Sequence, residues 1–251
     1  MRTSKEIDQI RECWLLGFKQ TETSIKLNIP RATVKDYYNR FSKGEMMEAK
    51  PSSLLENLLL VNLKKEAYSY LLGLYLGDGH IAKTKPLKNG NVVYKFRIFQ
   101  DAKYINLIQL CIDKMKILFE SEVNVVNKPG CKEIICYKNN IPEIFPQHGP
   151  GKKHTREIVL TDWQKDIVRK YPKEFIKGLI HSDGCRYVIK QSEYEYVKYE
   201  LSNRSQDILG YFDWACSLIG VDTRRHSGSR ASILRTQKDV DCFESFIGPK
   251  S

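Results

Sequence analysis

The chain has 251 residues, of which 41% are apolar, enough to fill one large domain or two to three small ones and too many for a disordered chain. Its 41 Lys and Arg against 30 Asp and Glu leave a net charge of +11, which repels cationic partners and draws phosphate polymers, so nucleic acid is the leading partner class. The seven cysteines show no CxxC pair and read as buried thiols in a reducing compartment, and neither the N-terminus nor the broken apolar run 54–63 suits a signal peptide or a bilayer span, so a cytoplasmic (nucleoid-associated) or organelle-matrix location without membrane contact is expected.

In chain order, the first predicted helix carries Ile7, Ile10, Cys13 and Trp14 near helical spacing, and Gly17 ends it in a left-handed conformation. A second short helix takes Thr21 or Thr23 as its cap and turns Ile25 and Leu27 inward. Asn28-Ile29-Pro30 then makes a tight turn into a third helix over 31–40, with Val34, Tyr37 and Tyr38 on the core. Arg31, Thr33, Lys35 and Arg40 stay on the outer face, where such side chains suit base edges and phosphates. The stretch ending in IPRATVKDYYNRF resembles the helix-turn-helix domains of bacterial regulators and transposases, although Ser24 stands where a small alanine is usual. The resemblance implies a small all-α DNA-binding domain over 1–44, and 45–66 reads as a linker of little periodicity.

Beyond it one pattern occurs twice, over 67–150 and 151–251. In the first copy an apolar helix through 70–76 ends at Gly77-Asp78-Gly79. Strands follow at 80–83 and 92–100 around an Asn89-Gly90 turn, then a helix over 105–118, strands at 123–127 and 133–137, and a short helix ending near Phe145. The second begins at Tyr171-Pro172 and runs through Ser182-Asp183-Gly184 into strands at 185–190 and 194–202, a helix over 206–219, strands near 224–227 and 232–236, and a closing helix over 239–246. The fold class is therefore α+β: a pseudo-twofold pair of αββαββα units whose antiparallel sheets form a basic saddle, beside the small all-α domain.

The two helix ends, LLGLYLGDG (71–79) and IKGLIHSDG (176–184), carry the chemistry. Gly73 and Gly178 let two helices approach closely, which brings Asp78 and Asp183 together, while Gly79 and Gly184 release the chain into a strand. Two carboxylates forced together repel unless a cation lies between them, and oxygen ligands of this kind select hard divalent ions, Mg2+ or Mn2+. Both segments resemble the LAGLIDADG motif, and the chain is similar to LAGLIDADG homing endonucleases in their single-chain, two-motif form. Leu76 and His181 replace the first aspartate of the motif, and Lys177 replaces a small residue.

The resemblance implies a polar residue at the end of each second strand to orient water, here Gln100 and Asn203. It also implies a lysine before the last helix of each unit to stabilise charge. Lys238 fits in the second unit; in the first the alignment is inexact, placing Asn139 or Asn140 there with Lys138 close by. Sequence reading falls to Lys83, Lys85, Lys95 and Arg97 in one half and Arg186, Lys190, Lys198 and Arg204 in the other, with Arg224 and Arg225 near the rim. The connecting loop HGPGKKHTR offers Lys152 and Lys153 to backbone phosphates. The implied activity is site-specific cleavage of double-stranded DNA by a monomer, free-standing or intron-borne, whose helix-turn-helix adds affinity. The rival expectation is a transcription regulator that keeps the scaffold without cutting; an RNA maturase role has no separate support.

Overall fold

The computed structural model describes residues 4–15, 17–43, 58–59, 61–85, 92–191, 193–225 and 228–248, and the chain divides into two compact units, 1–57 and 58–251. In the first, helices α1 (Ser4–Leu15), α2 (Gln20–Leu27) and α3 (Arg31–Ser42) close over Ile10, Ile29, Val34, Tyr37 and Tyr38. Gly17 (φ +77°) ends the α1 segment and Asn28 (φ +52°) ends α2, both left-handed, which lets three short helices pack around one small core. Two expectations for α2 are corrected. Thr23 is not a cap but a buried residue whose hydroxyl pairs with the Tyr38 hydroxyl at 2.7 Å; the backbone N–H of Lys19 is satisfied instead by Glu22. Ile25 is 82% exposed, because, two residues along the helix from Leu27, it lies on nearly the opposite face, while Leu27 and Ile29 pack on the core.

The expected linker falls mostly outside the described residues, and its last residues, 62–66, are already helical. Helix α4 spans Asn62–Asp78 and is buried on all sides from Ala67 to Leu76, so it is the spine of the second unit and not one of its faces. Strands β1 (Gly79–Lys83) and β2 (Tyr94–Asp101), helix α5 (Ile105–Phe119), strands β3 (Asn124–Lys128) and β4 (Cys131–Lys138) and the short α6 (Ile141–Ile144) complete the first half. The Asn89-Gly90 turn lies outside the described residues. A helix that sequence reading omitted, α7 (Asp162–Lys170), precedes the second motif helix α8 (Pro172–Asp183). It is held by a buried amide pair: Gln164 donates to the Tyr68 hydroxyl of α4 at 2.6 Å, and Gln147 donates to Gln164 at 2.6 Å. Strands β5 (Gly184–Gln191) and β6 (Tyr194–Ser202), helix α9 (Gln206–Ser217), strands β7 (Thr223–Arg224) and β8 (Ala231–Leu234) and helix α10 (Gln237–Glu244) follow.

Each half thus makes a four-stranded antiparallel sheet with the same order, β1-β2-β4-β3 and β5-β6-β8-β7. The helical side of each sheet is fixed by its aromatic core. Phe96 stacks on Tyr75, Phe119 and Phe145, so Tyr94, Ile98 and Gln100 share that side; Tyr199 meets Phe243, so Val197 and Leu201 do likewise. Residues of the other parity form the two faces turned away from the helices. Among the described residues no helix is long and apolar enough to cross a membrane.

Candidate metal centre and nucleic-acid interface

The site begins with the α4–α8 contact. A Cβ built on Gly73 would collide with the Phe175 carbonyl and come within 3.1 Å of the Gly178 Cα; one on Gly178 would collide with the Tyr70 carbonyl. Only glycine allows two helix backbones this close. The approach persists to the helix ends, where a Cβ on Gly77 would strike Ser182 and lie 3.0 Å from the Asp183 carboxylate, so the two motif aspartates are neighbours. His181, the departure from the motif, is buried and structural: its Nδ1 pairs with the Tyr70 hydroxyl of the opposite helix and its Nε2 with the Ile247 carbonyl, both at 3.1 Å.

Each aspartate meets the amide expected for it. Gln100, buried at the end of β2, donates to Asp78 at 3.4 Å, and Asn203, just after β6, donates to Asp183 at 2.6 Å. Asn203 is itself fixed, its side-chain oxygen accepting from Ser205 N at 2.8 Å and its N–H bonding to the Arg230 carbonyl at 2.8 Å. Among the described residues there is no cluster of three or more His, Cys, Asp or Glu side chains. Aspartate carboxylates are hard oxygen donors of the kind that suit a divalent cation whose shell is completed by water or phosphate oxygen.

The lysines fall elsewhere than sequence predicts. Lys138 ends β4 opposite Tyr94, whereas Gln100 pairs with Lys132, so Lys138 lies at the far end of the sheet, six strand residues or about 20 Å from Gln100. Lys238 stands exposed in the first turn of α10 and does not line the cleft at the aspartates. Lys153 comes there instead. Its Nζ donates to the carbonyls of Tyr75, Gly77 (2.8 Å) and Gly79 (2.9 Å), and lies 4.8 Å from the centre of the Tyr75 ring. An ammonium has three protons, and here three carbonyls take them. Burial pushes this ammonium down to about 8, against the pull of Asp183 and Asp78. No side-chain motif announces such a site, because its acceptors are backbone carbonyls.

A cleft of about 620 Å3 opens beside these groups. It is lined by Asp183 and Asn203 and by a basic rim of Lys152, His154, Arg156, Arg204 and Arg230. Of the expected DNA contacts, Lys95 and Arg97 lie on the outward face of β2 beside His80, and Lys198 on that of β6 opposite Tyr187. Lys95 and Arg97 are not independent charges, since both bond Glu133 (2.7 and 3.3 Å), whose carboxyl Lys95 chiefly holds below its usual value. Arg224, opposite Ile233, and Lys85 are exposed. Lys83, Arg186 and Lys190 are exposed but have the parity of the helical side. Arg186 bonds Glu244 of α10 at 2.7 Å and Lys190 bonds Glu195 at 2.7 Å. Arg225 is drawn back onto Asp213 at 2.7 Å. In the N-terminal unit Arg31 and Lys35 are exposed and Thr33 is half-buried on α3, and Arg40 pairs with Asp36 at 3.7 Å.

Two sheets of one order, joined by apposed glycine-bearing helices that end in aspartates, define the LAGLIDADG fold. No family model matches the sequence, and no curated protein matches it significantly in sequence. Solved structures do match. A mesophilic variant of the homing endonuclease I-DmoI is 19% identical, over 76% of this chain and 100% of that one, at a TM-score of 0.50. I-DmoI in complex with DNA and Mn is 18% identical, over 74% and 98%, at 0.52. The N-terminal LAGLIDADG domain of WhiA also aligns, at 16% identity over 78% and 90%, with a TM-score of 0.46.

Proposed function

We propose that the chain is a site-specific endonuclease of double-stranded DNA, with Asp78 and Asp183 holding the divalent metal, Mg2+ or Mn2+, on which hydrolysis depends. One observation carries the reading: the two aspartates, one from each half, end a glycine-tight helix pair, both act on the Lys153 ammonium, and each accepts a hydrogen bond from its own amide. A divalent ion bound there would polarise a scissile phosphate and lower the pKa of its water. Gln100 and Asn203 orient the carboxylates by donating to one oxygen of each, and Asn203, which lines the cleft, would hold a water there. The basic rim and the outward cations of both sheets supply the phosphate attraction. The similarity to I-DmoI in complex with DNA and Mn supports this assignment.

The three-helix unit acts as a helix-turn-helix, with Arg31, Thr33 and Lys35 of α3 toward the DNA, and joining it to the core raises effective concentration on one site. The test is cleavage of the genomic sequence flanking the coding region, restored to its uninterrupted form, with Mg2+ present. A double-strand break that both Asp78→Asn and Asp183→Asn abolish, with binding retained, is the expected result. Tight specific binding with no break in Mg2+ or Mn2+ would make the chain a DNA-binding regulator instead.

A further inference from the structure

We propose that the ammonium of Lys153 is a resident cation of the paired-aspartate site and takes the place of one divalent ion there. This rests on the reading of Asp78 and Asp183 as metal ligands and extends it to the number of ions the site takes up. The three carbonyls that receive the ammonium belong to Tyr75, Gly77 and Gly79, which bracket Asp78 at the C-terminus of α4. Carbonyl oxygens at a helix C-terminus carry the negative end of the helix dipole, and they are the same hard donors that Mg2+ or Mn2+ would recruit beside a carboxylate. Here they are already occupied by nitrogen. The same charge acts on both aspartates, and the Tyr75 ring beneath it adds a cation–π contact.

The connecting segment is built to deliver this side chain. Gly151 takes a left-handed turn (φ +79°), which starts the short 3-10 turn Lys153–Thr155. The Thr155 hydroxyl ties back to the Lys152 carbonyl at 2.8 Å. Gly149 is packed so closely on the Arg156 guanidinium that a Cβ would lie 2.8 Å from it, and His148 sits edge-on to Tyr94 at 5.9 Å. A lysine held this way reduces the repulsion between the two carboxylates before any metal arrives. It also repels an arriving ion, so the unmodified chain takes up fewer ions than the carboxylates alone would.

The test is isothermal titration of Mn2+ alone into the full chain and into Lys153→Gln and Lys153→Met. Gln removes the charge and keeps N–H donors for the carbonyls; Met removes both. Each variant is expected to bind one Mn2+ more than the unmodified chain, or to bind Mn2+ roughly tenfold more tightly. Should the Met variant fold poorly, the Gln variant alone decides. Equal stoichiometry and affinity in all three overturns the resident cation and leaves the metal reading standing. Absence of Mn2+ binding in all three overturns both.

Discussion

The two halves of the second unit share a helix, a strand order and an aspartate, yet differ in everything polar around them. On the first side Gln100 reaches Asp78 at 3.4 Å, the helix C-terminus is filled by Lys153, and the outward cations Lys95 and Arg97 share the one carboxylate of the buried Glu133. On the second side Asn203 grips Asp183 at 2.6 Å, the cleft opens on Asp183, and the outward face of β5 and β6 shows Ile189, Tyr194 and Tyr196 around Lys198. Backbone and core are what the repeat conserves within the chain, because a glycine-tight helix pair tolerates little variation. The polar decoration is free to diverge, and of the two amide–aspartate bonds the one at Asp183 is the shorter.

The largest effect tests what the halves share. Gly73→Ala and Gly178→Ala each press a methyl group into an opposing carbonyl and should each cost about 3 kcal/mol or more, read as a lower urea midpoint. Equal losses confirm that the contact is symmetric. Next come the amides, where the halves part. Asn203→Ala should slow cleavage about a hundredfold, while Gln100→Ala, removing the longer bond, should do less. Equal losses would remove the asymmetry.

A smaller effect is expected from Glu133, which only the first half uses to tie down its cations. Its folded-state pKa is lowered, chiefly by Lys95, so its stabilisation is present above the ordinary carboxylate range and is lost as pH falls through the lowered value. Glu133→Gln should flatten the acid limb of a stability–pH curve below the ordinary carboxylate range and steepen the salt dependence of DNA affinity. The smallest change is a control away from the helix pair: at Gly210, within α9 and with open space around its added Cβ, alanine should raise stability by about 0.5–1 kcal/mol.

Much of this was legible in the sequence because it rests on local patterns. The motif helices are apolar runs ended by Asp-Gly, β6 alternates from Val197 to Ser202, and the resemblance to the LAGLIDADG family points to Gln100 and Asn203 at the ends of the second strands. The misplacements share one cause, that side-chain parity and antiparallel register are tertiary facts. Lys138 looked near the site in sequence, but the strand carrying it runs away from Gln100 and presents Lys132 there. Arg186 and Lys190 are surface cations, but Tyr199, opposite Arg186, faces Phe243, so both have the parity of the side that carries the helices. Helix α7 did leave a signal, the capping box of Thr161 and Gln164 ahead of an apolar stripe. Lys153 left none, since three backbone carbonyls select it and carbonyls are common to every residue.

The central claim is that two helix ends deliver two carboxylates to one divalent-ion pocket. Mn2+ electron paramagnetic resonance on the full chain, Asp78→Asn and Asp183→Asn addresses it directly, because free and bound Mn2+ differ in signal without any need for the DNA target. Loss of the tightest-bound Mn2+ in both single variants, with the fold intact, is the predicted result. Retention of that ion at full affinity in either variant would contradict a shared pocket.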